Sequence, residues 1–99
     1  MSEFENIYDL EFTNHWEKHF QKLPPLIQKR FLKHVEKYKT FPSFDFRHEH
    51  HVGLFVDEIN QYRICFACDE TLKVRKFYFI GDHKDYEKFL KKEKTSSLE

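Results

Sequence analysis

His83 and Tyr86 stand just past a run of β-branched and aromatic residues, Val74–Ile80, and that position gives them the first claim to chemistry. Gly81 tolerates positive φ and ends the run, and Asp82 can cap the helix expected from about Lys84 to Lys92. A side chain at the exit of a rigid strand can be aimed, as catalysis requires. An imidazole titrates near roughly pH 6.5, so His83 can take or give a proton under working conditions. A second constellation is Arg47, His48, Glu49, His50 and His51, where imidazoles adjoin a guanidinium and a carboxylate. With Asp45 and Glu49 these imidazoles would suit zinc, but they lack paired spacing on regular structure, so no metal and no cofactor is expected. Cys65 and Cys68 form a C-x-x-C that falls on a strand and its end. Positions three apart there point to opposite faces, so the pair reads as small packed residues rather than as a redox or zinc motif.

The elements that must position these groups follow from length and composition. At 99 residues the chain is one domain with a single modest core. That core is aromatic: 12 Phe, 5 Tyr and 1 Trp supply much of the burial. Lys plus Arg and Asp plus Glu number 17 each, and a net charge of zero gives no sign of a polyanion partner. The charge is unevenly spread, with four acids and no Lys or Arg in residues 1–14 and eight Lys or Arg against four acids in residues 15–50. No apolar run approaches the roughly 20 residues of a spanning helix, and the acidic N-terminus lacks the regions of a signal peptide, so a cytoplasmic location without membrane contact is expected.

In chain order, Ile7–Phe12 alternates as a strand with one buried face. Asn14 with Glu17 matches a capping box, and Trp16, Phe20 and Leu23 then recur on one side of a helix. Pro24 and Pro25 stop that helix and start another, lined by Ile27, Phe31, Val35 and Tyr38. Its remaining surface includes Lys29, Arg30 and Lys33, with Lys37 and Lys39 beyond, a basic face that suits RNA or plain solvent. Phe44–Val52 reads as a loop. Leu54–Ile59 and Tyr62–Ala67 are joined by a tight Asn60, Gln61 turn, and a polar hinge then leads to Val74–Ile80. The expected fold is α+β, in the order β-α-α-β-β-β: an antiparallel sheet of about four strands, a helical pair on one face and a short C-terminal helix. Residues 1–92 form the domain, and 93–99 are expected to be a disordered tail whose Leu98 and Glu99 read as a vector remnant.

This order, together with GLFVDEINQYRICF and a strand ending IGDHKDY, resembles the RelE/ParE superfamily of small bacterial toxins, in particular its RelE, YoeB and YafQ branches. The likeness spans roughly Ile7–Phe89. Its short motifs are a Tyr or His followed by Arg at the start of the third strand, here Tyr62–Arg63, and Gly-x-His after the fourth, here Gly81–His83. The resemblance implies a ribosome-dependent, metal-independent endoribonuclease that cuts mRNA and is silenced by a cognate antitoxin protein. It sets no oligomeric state.

The roles it implies have a physical basis. Cleavage without metal needs a base for the 2′-hydroxyl proton, an acid for the departing 5′-oxygen and fixed positive charge for the phosphorane. Arg63 then clamps phosphate, His83 serves as acid or base, Tyr86 stacks on a base or orients the phosphate, and His50 or His51 supplies the partner proton group. Arg47, His48 and Arg75 join Lys29, Arg30 and Lys33 as candidate RNA contacts. Asp57 and Glu58 depart from the pattern, standing where several nuclease relatives carry Lys or Arg. Two alternatives share the fold: a ParE-like inhibitor of DNA gyrase without nuclease activity, and an inactive member that binds its antitoxin.

Overall fold

The computed structural model describes residues 7–49 and 52–98, with side chains as far as residue 92. Ten elements follow one another: β1 (Asp9–Phe12), α1 (Asn14–Gln21), α2 (Pro25–Lys33), α3 (Val35–Thr40), a 3-10 turn (Ser43–Asp45), β2 (Arg47–Glu49), β3 (Leu54–Ile59), β4 (Tyr62–Asp69), β5 (Val74–Gly81) and α4 (His83–Leu98). They make one sheet in the order β1-β5-β4-β3-β2. The α+β class and the alternation of helices and strands match the sequence expectation. The sheet itself has five strands rather than four, and it is mixed. β1 runs parallel to β5, because the chain crosses over through three helices and three successive antiparallel connections before returning beside it. β2 lies within the segment expected to be a loop and pairs antiparallel with β3.

Helices cover both faces. On one side Trp16, Leu23, Ile27, Phe31 and Tyr38 from α1–α3 meet Ile64, Phe66 and Phe77 of the sheet. On the other, Tyr86 and Phe89 of α4 meet Leu54, Val56, Cys65 and Phe79. Phe77 and Phe79 have the same parity yet enter different cores. The register explains this: Phe66 faces Phe77 and Cys65 faces Phe79, so Tyr78 is an extra residue on β5 that inverts the alternation. The same bulge ends the partnership with β1, whose last pair is Phe12 with Phe77.

Local chemistry sets the joints. Thr13, rather than Asn14, caps α1, its hydroxyl accepting from Trp16 N at 3.2 Å. Gln28 Nε2 donates to the carbonyls of Phe20 and Leu23, tying α2 to the end of α1. The expected second helix is two helices, broken at His34 (φ −92°, ψ 0°), whose Nδ1 lies 2.7 Å from Arg30 O. That imidazole occupies a carbonyl otherwise available to the helical ladder. α4 extends to Leu98, past the expected Lys92.

The hairpin end far from α4's start is held by a buried cation. Arg75 has no exposed surface, so it is not the RNA contact that its charge suggested. Its guanidinium lies 3.6 Å from the Tyr8 ring centroid and donates to Tyr38 O at 2.8 Å and Ser43 Oγ at 3.2 Å. Ser43 and Tyr8 both donate in turn to Glu70, so the buried charge is linked to its counter-ion through the Ser43 hydroxyl and through the Tyr8 ring on which it stacks.

Candidate active site

Strand alternation places one group of polar side chains on the face of the sheet that α4 covers. Arg47 stands opposite Val56, Glu49 opposite Leu54, and Glu58 opposite Arg63. Val56 and Leu54 belong to the α4-side core, so Arg47, Glu49, Glu58 and Arg63 share that face. β5 adds the next piece, with Gly81 opposite Arg63 and His83 two residues beyond.

Tyr86 is the floor of this group. Its ring is 4% exposed, and the Arg63 guanidinium carbon sits 5.0 Å from the ring centroid. Burial pushes the Tyr86 phenol above its ordinary range, with the Cys65 and Glu49 charges acting the same way and Arg47 opposing them. The phenol is therefore neutral at working pH, and a buried ring offers no face on which a nucleobase can stack. Tyr86 packs against Arg63, and its burial does not fit the base-stacking role expected of it.

Arg63 is also paired. Glu58 Oε2 lies 2.5 Å from Arg63 Nε, on the one side, while Tyr86 carries the other. Its neighbour Asp57 points the opposite way, accepting from Tyr38 OH at 2.8 Å and pairing Lys37 at 2.9 Å. The two departures from the expected basic pattern thus have separate duties. One supports the α3 side of the core and the other faces the candidate phosphate clamp. Glu58 was legible in advance, because a two-residue turn at Asn60 and Gln61 sets residue 58 against residue 63.

His83 opens α4. Asp82 Oδ1 accepts from Asp85 N at 2.9 Å, the cap anticipated from the sequence. The imidazole is 63% exposed, with Nε2 3.0 Å from Glu87 Oε2 one turn on. At three residues' separation, His83 and Tyr86 are near neighbours on the helix surface. Gly81 is required for space rather than for its backbone angle: a Cβ there would lie 2.7 Å from Phe79 Cζ.

The other candidates divide. His50 and His51 lie outside the described residues. His48 packs its ring 4.8 Å from that of Phe55, on the α1–α3 face away from Arg47. Lys29, Arg30 and Lys33 are exposed on α2, also on the α1–α3 side, and Arg30 Nη1 donates to Asn60 Oδ1 at 2.7 Å. Cys65 is buried against α4, while Cys68 donates to Glu70 at 3.2 Å, so the C-x-x-C is split between faces. Among the described residues, no three His, Cys, Asp or Glu side chains stand together as metal ligands. No helix among them is long and apolar enough to cross a membrane.

No protein-family model matches the sequence, and no curated protein sequence matches it. Solved structures do match. A mutant of the E. coli toxin RelE in the free state superposes with a TM-score of 0.72 at 14% identity, covering 94% of this chain and 99% of that one. A chain of the toxin–antitoxin complex RelBE2 from Mycobacterium tuberculosis gives 0.69 at 17% identity, over 80% and 94%. A chain of the archaeal RelE–RelB complex from Pyrococcus horikoshii gives 0.62 at 19% identity, over 77% and 94%. The fold is that of the RelE toxins.

Proposed function

We propose that this chain is the toxin of a toxin–antitoxin pair and acts as a metal-independent endoribonuclease on mRNA at the ribosome. The observation that carries the reading is the seating of Arg63 on the Tyr86 ring beside the first turn of α4, one turn from His83. In the proposed reaction the substrate's 2′-oxygen attacks the adjacent phosphorus while a base removes its proton. The P–O5′ bond breaks, the 5′-oxygen takes a proton from an acid, and the products are a 2′,3′-cyclic phosphate and a 5′-hydroxyl. His83 fills one proton role, and Arg63, with Arg47 nearby on the same face, stabilises the phosphorane charge. His50 or His51 remains the proposed second proton group. A cognate antitoxin, of the kind present in the RelB complexes of its structural neighbours, is the proposed partner that silences it.

The test is expression without antitoxin, with primer extension on cellular transcripts. The intact chain arrests growth and leaves cut mRNA; Arg63→Ala and His83→Ala relieve both effects while remaining folded. Full toxicity in both variants overturns the site. Arrest with uncut transcripts and induced DNA-damage response would instead mark a gyrase inhibitor. The close Glu58–Arg63 pair favours a second reading, an inactive antitoxin-binding member, under which expression alone leaves growth unchanged.

A further inference from the structure

A cleft separates α1 from α4 where the β1 ladder stops. It encloses about 270 Å³ and is walled by His15 and His19 from α1 and Lys22 at its C-cap, with Lys88 and Lys92 from α4. Its floor is Tyr78, Phe79 and Phe89, and its one acid is Asp85. A smaller hollow bounded by Tyr62, Ile80, Gly81 and Asp82 shares His19, Lys22 and Asp85 with it, so the depression reaches the residues that adjoin Arg63 and His83. The bulge at Tyr78 makes this cleft. With Tyr78 inserted, β5 loses β1 as a neighbour, and α1, capped by Thr13 whose N–H reaches Phe77 O at 3.1 Å, lies along the vacated edge.

The cleft does not belong to the constellation around Arg63, and nothing in the core demands its charges. The three lysines Lys22, Lys88 and Lys92 face one another across aromatic rings and repel, with Asp85 as the single acid in the cleft to offset them. His19 bears the imprint: burial first, and then the Lys22 charge, hold its imidazole below the ordinary range, with His15 and Lys92 acting alike and Asp85 opposing. A ligand that relieved this repulsion would be anionic, and one that used the floor would carry flat rings. Single-stranded nucleic acid has both, with backbone phosphates for a cationic rim and bases for an aromatic platform.

We propose that this cleft binds one nucleotide of the RNA strand flanking the cleavage point, its phosphate on the Lys22–Lys88 rim and its base over the Tyr78 and Phe89 rings. The proposal rests on the endoribonuclease reading and adds a second contact that positions the strand relative to Arg63. An acidic protein segment would satisfy the rim but leave the aromatic floor unused, so RNA is the better fit.

The test uses the purified full chain and a fluorescein-labelled 2′-O-methyl RNA hexamer, which resists cleavage, read by anisotropy. Lys22→Glu with Lys88→Glu weakens binding by about tenfold at 0.1 M salt and lowers the slope of log affinity against log salt by about 0.7, the share of one phosphate on a single strand. Lys76→Glu, a single charge reversal at an exposed site outside the cleft, leaves affinity and slope unchanged. Thermal melting confirms that both variants are folded. Equal weakening by the two variants, or none by the double variant, overturns the cleft assignment. Unchanged hexamer binding with lost binding of a poly-glutamate peptide overturns it in favour of an acidic protein segment. The two readings fail separately: transcripts cut in cells with hexamer binding indifferent to Lys22 and Lys88 sinks the cleft alone. Uncut transcripts with charge-sensitive hexamer binding sink the nuclease reading and keep the cleft.

Discussion

Glu58 and Arg63 face each other across the β3–β4 ladder, and the Glu58 carboxylate lies 2.5 Å from the Arg63 guanidinium. The contact fixes the guanidinium's direction and also competes with any phosphate that approaches it. Both groups keep access to solvent, at 23% for the arginine side chain and 48% for the glutamate, so the pair is of the weak, screened kind.

Competition at that strength sets a limit on what removing the acid can do. Glu58→Gln is expected to tighten binding of an uncleavable RNA by up to about fivefold, the most that an exposed ion pair of about 1 kcal/mol can withhold. The gain shrinks as salt rises, because the original pair is screened as well. Anisotropy titrations at low and high salt measure it. Weaker binding by the variant would mean that Glu58 orients Arg63 more than it blocks it.

Tyr86 separates a ring from a hydroxyl. Tyr86→Phe keeps the aromatic face beneath Arg63, so transcript cleavage stays near that of the intact chain. Tyr86→Leu keeps the apolar volume and loses the face, and a cation–π contact of about 0.5–2 kcal/mol converts to a rate loss of about two- to thirtyfold. Primer extension on a fixed transcript ranks the three proteins. Equal losses in Phe and Leu would move the role from the ring to the hydroxyl and its Arg47 contact.

Gly81 joins the site to the core. An added methyl would press on the Phe79 ring at 2.7 Å and on Asp85 Cβ at 3.2 Å, so Gly81→Ala shifts either β5 or the first turn of α4. Overpacking of this kind costs about 1–3 kcal/mol. A lower urea midpoint with an unchanged m-value is the expected result. Unchanged stability would show that α4 moves away freely at its start.

What the sequence made legible was periodic. Alternation in Tyr62–Ala67 placed Arg63 away from Ile64 and Phe66, and Asp82 was readable as a cap because it precedes a helix-forming run. The losses fall where periodicity breaks. An extra residue at Tyr78 has no compositional mark, since Tyr78 and its neighbours Phe77 and Phe79 are all good strand residues, so the two-core arrangement and the cleft were hidden. Charge also misled: Arg75 sits among Lys73 and Lys76, and only its partners across the sheet reveal it as a core group. β2 escaped because three charged residues, Arg47–Glu49, form a strand through pairing with β3 rather than through propensity.

The far end of the molecule carries its own pH dependence. Glu70 accepts from Tyr8 OH at 2.8 Å, from Ser43 Oγ, from Cys68 Sγ at 3.2 Å and from Lys73 Nζ at 3.3 Å. The bonds from Ser43, Tyr8 and Cys68 draw its carboxyl down to about 2, against a small opposing effect of burial. A carboxylate depressed in the folded state contributes stability that is present above its unfolded value of about 4.5 and is lost as pH falls towards 2. Glu70→Gln imitates the protonated group at every pH. The stability gap between the intact chain and this variant, followed by urea midpoints, is therefore widest above pH 5 and narrows steadily towards pH 2. Because the Glu70 side chain is 52% exposed, added salt reduces the part due to Lys73 and leaves the part due to hydroxyl donors. A gap that stays constant from pH 6 to pH 2 would show that the carboxylate's charge holds nothing together there, and that Arg75 is balanced by the Tyr8 and Tyr38 contacts alone.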